Sequence, residues 1–140
     1  MKRLLGVDYG TKRIGLALSD PLGITVQPVV TIHRKSLKTD LEQIKIIVLE
    51  KEVEKIIFGL PMNMNDTPGI LTEQVKDFAE RLSGETKIPV EFCDERLTSR
   101  AADDLLIYKG RLSNKKRKEV KDKIAACIIL RTYLDKLDLK

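Results

Sequence analysis

The spacing of apolar residues changes along the chain, and this change constrains the fold more than any other feature. Three short apolar runs come first, at residues 3–8, 14–18 and 24–32, and short turns separate them. From residue 37 onward, apolar positions at helical spacing alternate with further short runs. Three strands followed by alternating helices and strands predict an α/β fold with a five-stranded mixed sheet covered by helices.

The first three strands are expected to pair as antiparallel neighbours. The links between them are too short for a crossover connection between parallel strands. Pro28, in the third strand, has no backbone N–H to donate to a neighbouring strand. We therefore expect the third strand at an edge of the sheet.

Apolar spacing and capping residues place the remaining elements. In order, we predict a helix at about 37–52, a strand at 55–60, a helix from about 67 to 84, a strand at 89–93, a short helix at about 98–108 and a final helix at about 116–137. Thr39 with Glu42 could cap the first helix. Thr67 with Pro68 could begin the second helix, and Gly84 would end it. The last two strands then lie parallel to the first, because each helix returns the chain to the same end of the sheet.

Length and composition favour one domain. The chain has 140 residues and no linker rich in Ser, Gly or Pro, so residues 1–140 are interpreted as a single unit. Hydrophobic residues make up 42%, which is enough for a core, and the formal charge of +5 favours a polyanionic partner. No run approaches the roughly 18 apolar residues of a membrane span. We therefore expect a cytoplasmic protein with no membrane partner.

Three acidic residues are candidates for a catalytic site. Asp8 ends the first strand, and ligands in open α/β sheets bind beyond the carboxyl ends of the strands. Glu95 follows the last strand at the same edge, so it would face the same crevice. Asp122 shares a helical face with Ala125 and Ala126, whose small side chains permit close approach to the sheet. Two of the three have an ordinary alternative, with Asp8 as a turn residue and Asp122 as a solvated surface residue.

Three carboxylates at one edge predict a metal site. Hard cations such as Mg²⁺ and Mn²⁺ prefer oxygen ligands, and two ions roughly 4 Å apart can promote phosphodiester hydrolysis. We interpret Asp8 as the bridging ligand of two such ions, with Glu95 and Asp122 completing their coordination. Because Glu95 follows a strand two places from the first, about 10 Å away, its reach is a concern. Asn63 and Asp66 are therefore second-line candidates.

Basic residues accompany these acids and predict nucleic acid as the partner. They are Lys12, Arg13, Arg96, Arg100, Lys115, Lys116, Arg117 and Lys118. Residues 109–118 contain six cations and no anion, and a basic loop there would contact phosphates without reading sequence. Aromatic residues make up 4%, too few for a base-stacking platform. A lysine-rich surface can also serve solubility alone.

Four separated motifs resemble those of the YqgF (RuvX) family, in the same order and across essentially the whole chain. They are residues 6–15 (GVDYGTKRIG), 59–63 (GLPMN), 94–99 (DERLTS) and 122–126 (DKIAA). The resemblance implies a ribonuclease H-like fold related to the RuvC resolvases. It also implies metal-ligating carboxylates at Asp8, Glu95 and Asp122.

Members of that family are described both as nucleases that process the 5′ end of pre-16S ribosomal RNA and as Holliday-junction resolvases. We expect the ribosomal RNA role, in ribosome biogenesis, because that assignment is the better supported one for the family and because a single basic loop offers no evident reader for a four-way junction. The alternative, a resolvase acting in DNA recombination and repair, would need two active sites and therefore a two-fold homodimer.

Two other classes fit parts of the sequence. Residues 8–11 (DYGT) also resemble the first phosphate loop of the actin and hexokinase fold. Those proteins place nucleotide between two such domains, and 140 residues supply only one. A non-catalytic nucleic-acid-binding module would keep the fold and have no need of the acids.

Overall fold

A computed structural model describes residues 3–60, 69–94 and 114–138, with side chains at 3–60, 69–93 and 124–137. In chain order, the elements are β1 (Arg3–Tyr9), β2 (Arg13–Ser19), β3 (Val26–His33), α1 (Leu37–Glu50), β4 (Val53–Leu60), α2 (Ile70–Thr86), β5 (Val90–Asp94) and α3 (Asn114–Asp138). Their ends differ from the predicted ones by three residues or fewer. The predicted short helix at about 98–108 lies outside the described residues. No described helix has the length and apolar character needed to cross a membrane.

The five strands form a mixed sheet in the order β3-β2-β1-β4-β5. β1 pairs antiparallel with β2, and β2 pairs antiparallel with β3. β1 pairs parallel with β4, and β4 pairs parallel with β5. The predicted fold class is confirmed, and the central strand is the one that ends near Asp8.

β3 lies at the edge of the sheet, as Pro28 predicted. Pro28 faces Ala17 of β2, beside an irregularity in the pairing between Leu16 and Ala17. An edge strand has one row of backbone groups without a strand partner, and this tolerates a residue that lacks an N–H.

The two faces of the sheet carry different cores. On one, called the α1/α2 face, apolar side chains from β1, β2, β3 and β4 pack against α1 and α2, with Phe58 and Phe78 among the largest. On the other, called the α3 face, the sheet packs against α3. The core there consists of Leu4, Ile57, Cys93, Ile129, Leu130, Tyr133 and Leu134. Alternation along the strands assigns each residue to one face or the other.

The amino-terminal caps of α1 and α2 differ from the predicted ones. Ser36 caps α1, because its Oγ accepts a hydrogen bond from the Thr39 N–H at 3.2 Å. The predicted capping box of Thr39 and Glu42 is therefore wrong, and Thr39 lies inside the first turn. α2 begins after Gly69, whose N–H donates to Thr72 Oγ1 at 3.0 Å. The predicted start at residues 67 and 68 lies outside the described residues.

The carboxyl end of α2 also corrects the sequence prediction. Gly84 does not end the helix, which continues to Thr86. Lys87 then adopts a left-handed conformation with φ 62°, and its N–H donates to the Ser83 carbonyl at 2.8 Å. The Ser83 hydroxyl donates to the Ile88 carbonyl at 2.8 Å. These local hydrogen bonds allow a lysine to occupy a position where glycine is usual.

Candidate active site

Asp8 lies at the carboxyl end of the central strand, where the sequence predicted it. Its exposed fraction is 9%, which is low for a carboxylate. Val7 and Tyr9, on either side of it, belong to the core of the α1/α2 face. Alternation along the strand therefore turns Asp8 toward the α3 face. A buried carboxylate thus faces α3 at the edge where ligands bind in α/β sheets.

Glycines adjoin Asp8 on the α3 face. Gly15 is its partner on β2. Gly59 is the residue of β4 at the same level, and Gly6 precedes Asp8 by two residues on β1. None of these glycines places a side chain beside Asp8, and at Gly6 the position of a side chain is taken by α3.

α3 packs unusually close to β1 at Gly6. A Cβ added to Gly6 would lie 2.8 Å from the carbonyl oxygen of Ala126 and 3.0 Å from the Cβ of Leu130. Ala125 and Ala126 are both buried. The prediction that small residues let this helix approach the sheet is therefore confirmed. Glycine is required at position 6 because a larger residue would meet the helix backbone.

α3 runs along β1 in the opposite direction to the strand. The start of β1 packs against Tyr133, whereas Gly6 lies under Ala126. Asp122 precedes Ala126 by one helical turn, about 6 Å along the axis. Asp8 lies two residues beyond Gly6, about 7 Å along the strand. The backbone of Asp122 therefore lies on the part of α3 that is nearer to Asp8. The side chain of Asp122 is outside the described residues.

β5 ends at Asp94, one residue before Glu95. The pairing of Gly59 with Cys93 places Cys93 at the level of Asp8, two strands away and about 10 Å distant. Cys93 is buried on the α3 face. The predicted position of Glu95 after a strand two places from β1 agrees with the sheet order. Glu95 itself lies outside the described residues.

The turn after Asp8 carries two of the predicted phosphate-binding residues. Lys12 is exposed, and Arg13 is half-buried at the start of β2. The Gly10 N–H donates to the Arg13 carbonyl at 2.9 Å, and a Cβ on Gly10 would lie 2.6 Å from that oxygen. Only glycine fits this turn. Arg13 is diagonal to Asp8 across the β1–β2 pair, a relation that separates two residues by roughly 7–8 Å.

Arg34 and Asp40 form a network that the sequence did not predict. Arg34 donates from Nε to Asp40 Oδ2 and from a terminal nitrogen to the Gly10 carbonyl, both at 3.2 Å. Its guanidinium lies 4.5 Å from the centre of the Tyr9 ring. Asp40, which is 1% exposed, also accepts from the Lys35 N–H at 3.1 Å. Burial raises the pKa of the Tyr9 phenol, and the neighbouring Arg34 opposes that rise. The network fastens the turn after Asp8 to the start of α1.

A sequence signal for this network existed. Asp40 belongs to the buried residues of α1 together with Leu41, Ile44 and Val48. A carboxylate next to a predicted apolar stripe requires a buried partner, since acidic residues are almost never fully buried without one. Arg34, six residues earlier, is that partner.

The remaining predicted site residues fall outside the described side chains. Asn63, Asp66, Arg96 and Arg100 lie outside the described residues. Lys115, Lys116, Arg117 and Lys118 lie at the start of α3, which begins at Asn114. The prediction of a basic loop is therefore wrong for this part of the 109–118 segment, whose backbone is helical.

Within the described side chains, no group of three His, Cys, Asp or Glu residues is arranged to hold a metal ion. That finding includes Asp8 and excludes Glu95 and Asp122, whose side chains are not described. Cys93 and Cys127 are free thiols. Burial raises the pKa of Cys127 to about 11, so this thiol is protonated near neutral pH and is a poor metal ligand.

The whole chain has close relatives in sequence. The sequence model of the RuvX family, described as Holliday junction resolvase, matches residues 2–136. A protein of Clostridium novyi, provisionally named pre-16S rRNA nuclease, is 49% identical over 135 residues, covering 96% of this chain and 99% of that protein. A protein of Clostridioides difficile with the same name is 50% identical over 133 residues, covering 95% of this chain and 94% of that protein.

Solved structures share the fold at low sequence identity. RuvC of T. thermophilus, in complex with a Holliday junction substrate, gives a TM-score of 0.65 at 9% identity over 99% of this chain and 97% of that one. The Fowlpox virus resolvase, in complex with Holliday junction DNA, gives a TM-score of 0.59 at 14% identity over 96% of this chain and 98% of that one. Likeness at such identities concerns the fold, and the predicted ribonuclease H-like fold is confirmed.

Proposed function

We propose that this chain, which belongs to the RuvX family, is a nuclease that hydrolyses phosphodiester bonds at the carboxyl edge of its sheet. The observation that carries the proposal is the position of Asp8. This carboxylate is buried at the ligand-binding edge of the sheet, at the end of the central strand, with Gly15 as its partner on β2 and with α3 packed closely on the same strand at Gly6. Such an arrangement suits a carboxylate that binds a cationic cofactor.

Asp8, Glu95 and Asp122 are the proposed metal ligands, with Asn63 and Asp66 as alternatives to Glu95. The group that fits is a pair of Mg²⁺ or Mn²⁺ ions, because carboxylate oxygens are hard ligands. When bound, such ions lower the pKa of the attacking water and stabilise the leaving oxygen. Gly15 and Gly59 place no side chain beside Asp8, and we expect the ions and a phosphate group to bind on that side of the sheet.

The other residues of the site hold these groups in place and orient the substrate. Gly6 lets α3 pack against β1, which fixes the distance between the helix carrying Asp122 and the strand carrying Asp8. Lys12 and Arg13 lie in the turn just beyond Asp8 and are proposed to contact phosphates of the substrate. Such contacts position a strand without reading its sequence.

The proposed substrate is the 5′ end of precursor 16S ribosomal RNA, processed in the cytoplasm during ribosome biogenesis. The support is the name of the relatives, which cover nearly the whole of this chain at 49–50% identity. The formal charge of +5 is compatible with a polyanionic substrate.

A Holliday-junction resolvase is the second candidate, because the matching family is described by that activity. Cutting both strands of a symmetric junction requires two active sites, and this chain would then act as a two-fold homodimer. The ribosomal RNA role has no such requirement.

Replacing Asp8 by Asn tests the nuclease proposal. With Mg²⁺ or Mn²⁺ present, we expect cleavage of pre-16S RNA to fall about a thousandfold or more, since a lost metal ligand removes several kcal/mol of transition-state stabilisation. The melting temperature should stay close to that of the parent. Asp135→Asn is the matched control, because Asp135 is an exposed residue of α3 whose carboxylate lies 3.9 Å from Arg131.

Two results would contradict the proposal. Equal cleavage by the parent and the Asp8→Asn protein would remove Asp8 from the chemistry. Absence of cleavage by the parent, with nucleic-acid binding retained, would identify a non-catalytic binding module instead.

A side-by-side assay separates the two substrates. The parent protein is given pre-16S RNA and a four-way DNA junction at equal concentration, and its mass in solution is measured with each. We expect the RNA to be cut faster. Preferential cutting of the junction by a dimer would replace the proposed substrate with the second candidate.

A further inference from the structure

A positively charged surface extends from the turn after Asp8 onto the link between β3 and α1. We call it the rim surface, and it consists of the four cations Lys12, Arg13, Lys35 and Lys38 together with His33. All five side chains are exposed or half-buried. The sequence prediction included only the first two, because the others lie at least twenty residues later in the chain.

Backbone contacts join the two parts of the rim surface. Arg13 and His33 are cross-strand partners at the end of the β2–β3 pair. The Arg34 N–H donates to the Lys12 carbonyl at 2.9 Å. Since cross-strand partners lie roughly 5 Å apart, the two segments form one continuous surface.

Arg34 forms hydrogen bonds with both segments of the chain that carry the rim surface. It donates to the Gly10 carbonyl in one segment and to the carboxylate of Asp40 in the other. The N–H of Lys35 donates to the same carboxylate at 3.1 Å. Asp40 thus neutralises Arg34, while Lys12, Lys35 and Lys38 are exposed. The lysines therefore project from a fixed scaffold, which lowers the entropy lost when a polyanion binds.

The charges around the rim surface favour a polyanion there. Among the described residues, the ion pairs leave Lys12, Lys35 and Lys38 without a carboxylate partner. The groove between α1 and α2 has the opposite character, since its lining includes Asp77 and Glu80 with a single arginine. A polyanionic strand that extends from Asp8 is therefore favoured along the rim surface and disfavoured in that groove.

We propose that the rim surface binds the sugar–phosphate backbone of the substrate strand on the side of the cleavage site that lies over β2 and β3. The proposal rests on the proposed nuclease function at Asp8 and extends it to the path of the substrate. The contacts are to phosphates, so the surface sets the position of the strand and gives no preference among bases.

The test measures binding apart from cleavage. Lys35→Gln/Lys38→Gln is introduced into the Asp8→Asn protein, and affinity for a fluorescent single-stranded RNA is measured by anisotropy as the salt concentration rises. The matched control is Lys51→Gln/Lys136→Gln in the same background. Lys51 follows the carboxyl end of α1 and Lys136 lies in the last turn of α3, so both are exposed and far from Asp8.

Each phosphate neutralised on a single strand contributes about 0.7 to the slope of log affinity against log salt. Losing two contacts should therefore reduce that slope by about 1.4. We call the protein with Lys35→Gln and Lys38→Gln in the Asp8→Asn background the rim variant. Between about 50 and 200 mM salt, the ratio of the affinity of the Asp8→Asn protein to that of the rim variant should fall about sevenfold. The control removes the same net charge, and its slope should match that of the parent because exposed charges act only over about 10 Å.

Equal slopes for the rim variant and the control would overturn the proposal. If the rim variant has a reduced slope but the protein with Asp8 intact does not cleave RNA, the rim surface is supported and the nuclease proposal is rejected. If the protein with Asp8 intact cleaves RNA but the rim variant has an unchanged slope, the nuclease proposal is supported and the rim surface is rejected. The same titration with single-stranded DNA shows whether the rim surface binds RNA or DNA. If the slope falls for only one of the two nucleic acids, the rim surface is assigned to that nucleic acid.

Discussion

The two faces of the sheet differ in the size of the side chains that they bury. The α1/α2 face contains Phe58 and Phe78, both at most 2% exposed, with ring centres 6.1 Å apart. The α3 face has Gly6 beneath the backbone of Ala126, and Gly15 lies beside Asp8. Large side chains hold α1 and α2 away from the sheet, whereas small residues bring the α3 backbone into contact with it.

This difference separates the larger described core from the face toward which Asp8 is turned. Among the residues whose side chains are described, the core of the α1/α2 face is the larger, so it contributes the larger part of their hydrophobic stabilisation. The described residues of the α3 face bury less apolar area and bring α3 close to the strand that carries Asp8. Asp40, an acid on the α1/α2 side, is paired with Arg34 and anchors the turn after Asp8.

The largest expected effect on stability is that of Phe78→Ala. The substitution removes a buried ring that contacts Tyr9 at 4.8 Å between centroids, and it leaves a cavity under α2. We expect the free energy of unfolding to fall by about 3–5 kcal/mol. Urea unfolding measures this change. Cleavage per folded molecule should stay near that of the parent, because the cavity lies on the face away from Asp8.

Phe92→Ala is the matched control for this prediction. Phe92 is 40% exposed, so its truncation should cost only about 1 kcal/mol. An equal loss for the two phenylalanines would mean that burial on the α1/α2 face does not set stability.

Periodicity in the sequence predicted the strands, the long helices and the sheet order, because these depend on apolar spacing and on short links. Pro28 placed β3 at the edge for a reason that needs no tertiary information. Asp8 was likewise located by its position after a strand. The partnership of Arg34 with Asp40 and Gly10 was not predicted, since it depends on how α1 returns toward the β1–β2 turn.

Local caps were the least predictable feature. Ser36 and Thr39 are both good capping residues, and the choice between them depends on where α1 docks against the sheet. The coordination predicted for Glu95 and Asp122 stays a prediction. Three carboxylates far apart in sequence can be assigned to one edge by topology, but their distances depend on tertiary packing.

The second largest effect on stability is expected at Gly6, on the α3 face. In Gly6→Ala, the new Cβ would lie 2.8 Å from the Ala126 carbonyl oxygen, so α3 must shift. We expect a loss of about 1–3 kcal/mol, typical of overpacking. Cleavage should fall more than in Phe78→Ala although stability falls less, because the shift moves the helix that carries Asp122 relative to Asp8.

Urea unfolding and cleavage, both measured on the Gly6→Ala protein, show whether the two properties change together on the α3 face. A variant with reduced stability and parental cleavage would show that the close approach of α3 to β1 is not needed for the chemistry. The position of α3 would then matter for packing alone.

The smallest expected change in the free energy of unfolding is that of a substitution at Gly84. This residue belongs to neither core, so it tests whether glycine is needed where no close contact exists. A Cβ at this exposed position of α2 would find no heavy atom within 4 Å. Because the helix continues through Gly84 to Thr86, alanine should stabilise it by roughly 0.5–1 kcal/mol, through better helix propensity and a less flexible unfolded chain. Thermal or urea unfolding of Gly84→Ala detects this gain. Destabilisation would instead mean that Gly84 helps to end the helix, as the sequence suggested, and that Lys87 cannot do so alone.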